Sequence, residues 1–376
     1  MSEYQYYEFQ TIDRPLSEAD RQSLRDLSTR ARITSTSFTN SYDWGDLKGN
    51  PADLMERWFD LHLYLANWGT RRLMIRFPKR LVDLQQFDGF LREVDGVELT
   101  PSGENLILDI VCEDQEPEDY SDDGSGWLAA LTPLRAAVLG GDLRLFYLLW
   151  LMAVQAETLG PEEVAPLPGI GPMTDELEAF AHFFGLDADL VAAAAERPAE
   201  TVLSSPMASD AIRRFVAALP DSEKTEMLVR LIEGDPYVAS ELRKSARSLP
   251  SANSAAATHT AGELQARAGA IRGIRKREEE ERLAAERKRQ EEKEANARRA
   301  RLNAIIQRGD AVWREVETEI ARRNAPGYNA AASLLADLKT IAEENGGKAD
   351  FTRRLHSIRE RHAQKERFIE RLAALG

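Results

Sequence analysis

One cysteine, Cys112, and five histidines are all this 376-residue chain offers a soft metal. A disulfide framework within the chain and a Cys-rich zinc site are therefore excluded, and neither a metal nor a cofactor is expected. Cysteine usage of this kind fits a reducing interior. The opening "MSEYQYYEFQ" has neither a basic leader nor an apolar run, so a cytoplasmic location is expected. Long hydrophobic runs are missing too. The longest, Leu145 to Val154, is ten residues, whereas a membrane span takes about 20.

Forty-three per cent of the residues are apolar, enough for real cores. Charge is uneven. Residues 261–376 hold 26 basic and 20 acidic side chains, leaving 23 basic and 43 acidic for residues 1–260. An acidic body repels a nucleic-acid backbone, and the glutamates interleaved in the tail oppose its use as a nucleic-acid tether, so nucleic acid is not an expected partner.

Strand signals are confined to the N-terminal third. "YQYYEFQTI" and "ARITSTSFTN" read as strands, and "RRLMIRFP" alternates, with Leu73, Ile75 and Phe77 on one face and Arg72, Met74 and Arg76 on the other. "VELTPSGENLILDIVCE" reads as a hairpin turning at "PSGEN". Between them, Ser17 with Asp20 marks a helix start running to about Arg30. "PADLMERWFDLHLYLAN" reads as one helix opened by Pro51, and a further helix is expected near Lys79 to Glu93. Residues 1–115 are thus expected to form an α+β domain.

From Trp127 onward the pattern is helical, and residues 127–249 are expected as an all-α domain, followed by a Ser/Ala-rich linker at 250–261. "LTPLRAAVLGGDLRLFYLLWLMAVQ" imitates an ankyrin unit, yet no second unit follows about 33 residues on. It reads as two helices joined at "GGD", with Leu145, Leu148, Leu149 and Met152 in the core. Residues 262–376 are expected to be a charged helix and a helical bundle. The charged part lacks the apolar a/d seam of a coiled coil. It carries opposite charges four apart instead, such as Glu278 with Arg282 and Glu294 with Arg298, each contributing roughly 0.2–0.5 kcal/mol. A helix from 262 to 309 would extend roughly 70 Å. The fold class is therefore α+β followed by all-α, mostly helical overall.

Four blocks, "YQYYEFQTIDRPL", "WGDLKGNP", "ANWGTRRLMIRFP" and "PLRAAVLGGDLRLFYLLWL", occur in this order between Tyr4 and Ala195. In them the chain resembles a family of bacterial hypothetical proteins. The resemblance implies no particular activity; it implies a partner, a SWIM zinc-finger protein encoded nearby.

Sequence motifs for chemistry are weak. "DYSDDGSGW" begins like a calcium loop, but its twelfth position is Ala130 rather than Glu. "GIG" at Gly169 follows no strand, and "NGGK" near Lys348 lacks the remainder of a phosphate loop. The two Trp-Gly pairs remain. Trp44, Asp46 and Lys48 occupy one loop, and Trp68 precedes the strand bearing Arg72 and Arg76. Together they could line one sheet edge, as a groove for a phosphate, a base or an acidic peptide. The opposing reading buries the tryptophans and pairs the arginines with Asp43, Asp46, Glu56 or Asp60. The expected function is a cytoplasmic protein–protein interaction or scaffold component with a helical arm. The alternative is a nucleotide- or phosphate-binding enzyme subunit using Asp46 and Arg72, although no general base and nucleophile stand together in the sequence.

Overall fold

In the computed structural model the described residues are 3–113, 122–199, 209–247 and 258–372. Strand β1 (Gln5–Gln10) leads to α1 (Glu18–Leu27), where Ser17 and Asp20 form the expected reciprocal cap. "ARITSTSFTN" is two strands rather than one, β2 (Arg32–Ile33) and β3 (Ser37–Tyr42). The Thr34 hydroxyl accepts from the N–H groups of Thr36 and Ser37 and turns the chain between them. Helix α2 stops at Arg57, having begun at Pro51, and the remainder of the expected helix is strand β4 (Leu61–Ala66). Leu61, Leu63 and Leu65 point to one face while His62 and Tyr64 point to the other. With both faces covered, the apolar run conceals its period of two.

Strand β5 (Arg71–Pro78) alternates as expected. The helix expected at Lys79–Glu93 shrinks to a 3-10 turn, Leu84–Phe87, and a single turn of α3 (Asp88–Leu91). Strands β6 (Val97–Ser102) and β7 (Asn105–Cys112) form the expected hairpin, closed by Gly103 at φ +53°. All seven strands join one antiparallel sheet in the order β2-β3-β1-β4-β5-β7-β6. Pro101, which cannot donate to a ladder, sits in the edge strand β6.

The helical stretch supplies α4 (Trp127–Leu139), α5 (Arg144–Gln155), α6 (Asp175–Phe183), α7 (Ala188–Ala195), α8 (Ser209–Ala218), α9 (Asp221–Ile232) and α10 (Val238–Arg247). No single helix among the described residues is long and apolar enough to cross a membrane; α4 and α5 meet at 111°. Phe146, Tyr147, Leu148, Leu149 and Trp150 of α5 are all buried.

One face of the sheet packs under α1 and α2, where Phe9, Phe38 and Met74 meet Leu24, Leu54 and Trp58. The other face, including Leu63, Ile75, Phe77 and Leu108, packs against Leu131, Leu134, Leu148 and Phe180 of the helices. The sheet and helices α4–α7 therefore share one core rather than holding one each. The physical reason is that a sheet apolar on both faces needs a layer on each, at about 1.5–3 kcal/mol per fully buried large side chain.

The chain divides into two compact units, Met1–Ile274 and Arg275–Gly376. Helix α11 (Ala261–Arg308) belongs to both. In the first unit Ala261, Leu264 and Ala268 enter the core, so the end of the expected 250–261 linker is structured: Thr260 bridges Val164, and the N–H of Ala261 donates to Glu163 O at 2.8 Å. Residues 250–257 of that linker lie outside the described residues. Residues 274–301 of α11 are exposed throughout. In the second unit α12 (Ala311–Ala321), α13 (Ala325–Glu344), α14 (Lys348–Arg361) and α15 (Glu366–Leu372) enclose Val316, Leu335, Phe351, Leu355 and Phe368.

Candidate functional site

The strand register brings the two Trp-Gly turns to one end of the sheet. Gln5 of β1 pairs with Tyr42 of β3 on one side and with Ala66 of β4 on the other. The turns that follow Tyr42 and Ala66 therefore leave the same end two strand spacings apart, about 10 Å. Both are tight. Gly45 and Gly69 take φ +86° and +101°, a region open to glycine but strained for other residues, and Ala66 N–H closes its turn on Thr70 O at 2.9 Å. Trp44 is 75% exposed and Trp68 48%, while Lys48 and Asp46 are exposed beside Trp44. The tryptophans are thus surface residues, not core.

A polar bracket holds the Trp44 loop onto the sheet. Gln5 Nε2 donates to Gly45 O at 2.8 Å, and the Tyr7 hydroxyl donates to Asp46 Oδ1 at 2.5 Å. Tyr64 donates to Gln5 Oε1 at 2.9 Å. Burial, with the Asp46 charge beside it, pushes the Tyr64 phenol up to about 12, and burial followed by the Asp46 bond raises Tyr7 as well. Both phenols remain protonated donors. Asp46 is accordingly a positioning residue for the loop that presents Trp44.

Arg72 and Arg76 are committed elsewhere. Arg72 meets Asp109 with a two-pronged pair, Nε to Oδ1 at 2.8 Å and Nη2 to Oδ2 at 2.6 Å, and this bond holds its guanidinium charged. Arg76 lies four residues along β5, about 13 Å away. It is buried and pairs with Asp60 at 2.7 Å, while Nη1 donates to Met55 O and Glu56 O. The six residues singled out from the sequence thus separate: Trp44, Asp46, Lys48 and Trp68 share the sheet end, Arg72 is neutralised inboard, and Arg76 belongs to a different cluster.

Of that second cluster the sequence offers only Asp60 as a partner for Arg76, while Asp13, Arg135 and Tyr237 are not singled out in it. Asp60 Oδ2 accepts from the N–H groups of Ile12 and Asp13 at 2.6 and 2.9 Å, and Oδ1 accepts from Arg76. Arg135 of α4 grips Asp13 through Nη1 and Nη2 at 2.9 and 2.7 Å, and its Nε donates to Arg76 O. Tyr237, between α9 and α10, donates its hydroxyl to Asp13 and accepts from Arg135. Outside it, Arg80 and Arg230 both pair with Asp235 and Glu241. Burial alone would push Asp60 up, but Arg135, Arg76 and the two backbone donors together lower it; at Asp13 burial prevails and raises it. Two carboxylates balance two guanidiniums in each layer. The arrangement fastens five separate stretches of chain and needs no added ion for neutrality. The visible sequence signal was Arg135, one cation inside an apolar helix.

Among the described residues no three His, Cys, Asp or Glu side chains gather as a metal site. The first residues of the calcium-like stretch, to Ser121, lie outside the described residues; beyond them, Asp122 and Asp123 accept from Gly124 and Ser125 in a local turn. On α8 and α9, Ile212, Val216, Leu228, Val229, Leu231 and Ile232 are all exposed, Ile232 by 85%. No family model, curated protein or solved structure matches this chain.

Proposed function

We propose that this chain is a cytoplasmic protein–protein interaction or scaffold component. The observation that carries the reading is the apolar row on α9, Leu228, Leu231 and Ile232 at helical spacing of three and four, left facing water. Contiguous apolar surface of that kind marks a place where another protein packs. Arg230 of the same helix pairs with Asp235 and Glu241, in the loop and the helix that follow it. Helix α11 supports the scaffold part, because its exposed stretch between two separately cored units is charged all round and has no seam for a coiled-coil mate.

The first partner to test is the nearby-encoded SWIM zinc-finger protein that the family resemblance implies. A photo-crosslinking residue at position 228 or 232 of the full chain should form a defined heteromeric adduct with it, and Leu228→Ser with Ile232→Ser should abolish the complex of the purified pair. A pair that remains separate at micromolar concentration, with no position-specific adduct to any other protein, would overturn the reading.

A further inference from the structure

We infer that the sheet end bearing Trp44 and Trp68 is a docking surface for a basic, arginine- or lysine-bearing segment of a partner protein. This rests on the interaction reading above and adds the chemistry of one contact. Two indoles on one rim, 75% and 48% exposed, are held out by turns whose glycines take positive φ and whose loop is bracketed by Gln5 and Tyr7. The local order is retained although about half or more of each indole is open to water. Preorganised, exposed aromatics of this kind are typical interface anchors.

Charge selects the occupant. The two arginines that made this edge look suited to a phosphate are neutralised, Arg72 by Asp109 and Arg76 by Asp60, and Arg71 is turned onto the Phe183 carbonyl and ring. What remains is acidic. The Tyr4 hydroxyl donates to Asp123 O, and the Tyr4 phenol, raised first by burial, is raised further by the charges of Asp123, Asp43 and Asp122 around it. Tyr4 also exchanges backbone and side-chain bonds with Asn67, the neighbour of Trp68. Asp43, Asp46, Asp122 and Asp123 thus gather about the tryptophan rim, against the cations Lys48 and Arg30, the latter over the Tyr42 ring. Indole faces attract guanidinium and ammonium groups, and the carboxylates reward the same charge. A phosphate, a nucleotide or an acidic peptide meets the wrong sign.

The test is calorimetric titration of the full chain with a blocked octapeptide of alternating Arg and Gly, against the matching Glu–Gly peptide and inorganic phosphate. Expected is saturable binding of the Arg peptide alone, weakened by about tenfold or more in Trp44→Ala or Trp68→Ala, the scale of an interface anchor. Asp43→Lys, an exposed change, should weaken it comparably and covers the case in which a tryptophan variant does not fold. No binding of the Arg peptide overturns the inference, as does binding undiminished in all three variants, which is diffuse attraction to an acidic chain, or binding of phosphate or the Glu peptide at this rim. The adduct from position 232 is read on the same variants. If it persists while the peptide result fails, only the rim assignment falls; if it is absent while the peptide behaves as expected, the reading built on α9 falls and the rim stands.

Discussion

Arg135 holds Asp13 with both terminal nitrogens, at 2.9 and 2.7 Å, across 122 residues of chain. The pair ties the loop after β1 to the middle of α4, and its guanidinium also faces Asp60, whose side chain is fully buried. Replacing Arg135 with Met would preserve much of the packing and leave Asp13 without its guanidinium, while Asp60 keeps Arg76 and its two backbone donors. A buried pair broken from one side typically costs about 3–5 kcal/mol. Denaturant unfolding of Arg135→Met is expected to show a loss of that order, whereas Tyr237→Phe, which keeps the ring and removes one hydroxyl, should cost about 1 kcal/mol. Equal losses in the two variants would contradict the hierarchy.

Arg72 and Arg76 separate by burial. Arg76 faces a carboxylate with no solvent access, and Arg72 and Asp109 are each about a quarter or a fifth exposed. Arg76→Ser should therefore lower stability by about 3–5 kcal/mol. Arg72→Ser should cost about 1 kcal/mol, because water can still reach Asp109. Melting curves of the two single variants decide this, and a larger loss for Arg72→Ser would reverse the assignment.

Neither arginine's fate could be read from spacing alone, for different reasons. Asp60 was among the partners that the opposing reading offered for the arginines, since it stands just before the strand that pairs with β5. Asp109 was not, because it becomes a neighbour of Arg72 only once β7 is placed beside β5, with Met74 opposite Asp109. Alternation exposed β5 and the "PSGEN" turn exposed the β6–β7 hairpin, each a local signal. Strand β4 escaped because Leu61 to Leu65 is covered on both sides, which erases the contrast that a period of two depends on. The rim was half legible. Glycine after each tryptophan announced two turns, but their presence at one sheet end follows from Gln5 pairing with both neighbours. Tyr237 gave no signal, since a tyrosine in a short loop becomes a fastening only by meeting Arg135.

His62 makes stability depend on acid. It is fully buried, stacked on Phe9 with centroids 3.9 Å apart, and its Nδ1 lies 3.0 Å from Glu8 O. Burial pushes the imidazole from its ordinary 6.5 down to about 3. Between those values the unfolded chain binds a proton that the folded chain refuses, so stability falls as pH drops below 6.5 and the loss is complete near 3. The slope is roughly 1.4 kcal/mol per pH unit for that one proton. His62→Gln keeps a donor for the Glu8 carbonyl and does not titrate. Its stability-against-pH curve from pH 6.5 to 4 should be shallower than the parent's by that slope, and parallel curves would show that His62 is not held neutral.

Cutting the chain at two nearby places distinguishes linker from core. Composition alone favours a cut at 250, in the Ser/Ala-rich stretch. The burial of Ala261, Leu264 and Ala268 in the first unit, with Arg267 on Glu196 and Arg272 on Asp189, places the proper end at Ile274. Residues 1–274 should melt cooperatively at a midpoint close to that of the same unit in the full chain. Residues 1–250 would expose the apolar floor beneath those turns and lose the fully buried Leu264 side chain, at about 1.5–3 kcal/mol for that residue alone. Far-ultraviolet circular dichroism and calorimetry on the two fragments give the comparison. If both melt alike, the first turns of α11 contribute nothing to the core; if only the longer one is cooperative, the charged helix is rooted in the first unit by its apolar beginning.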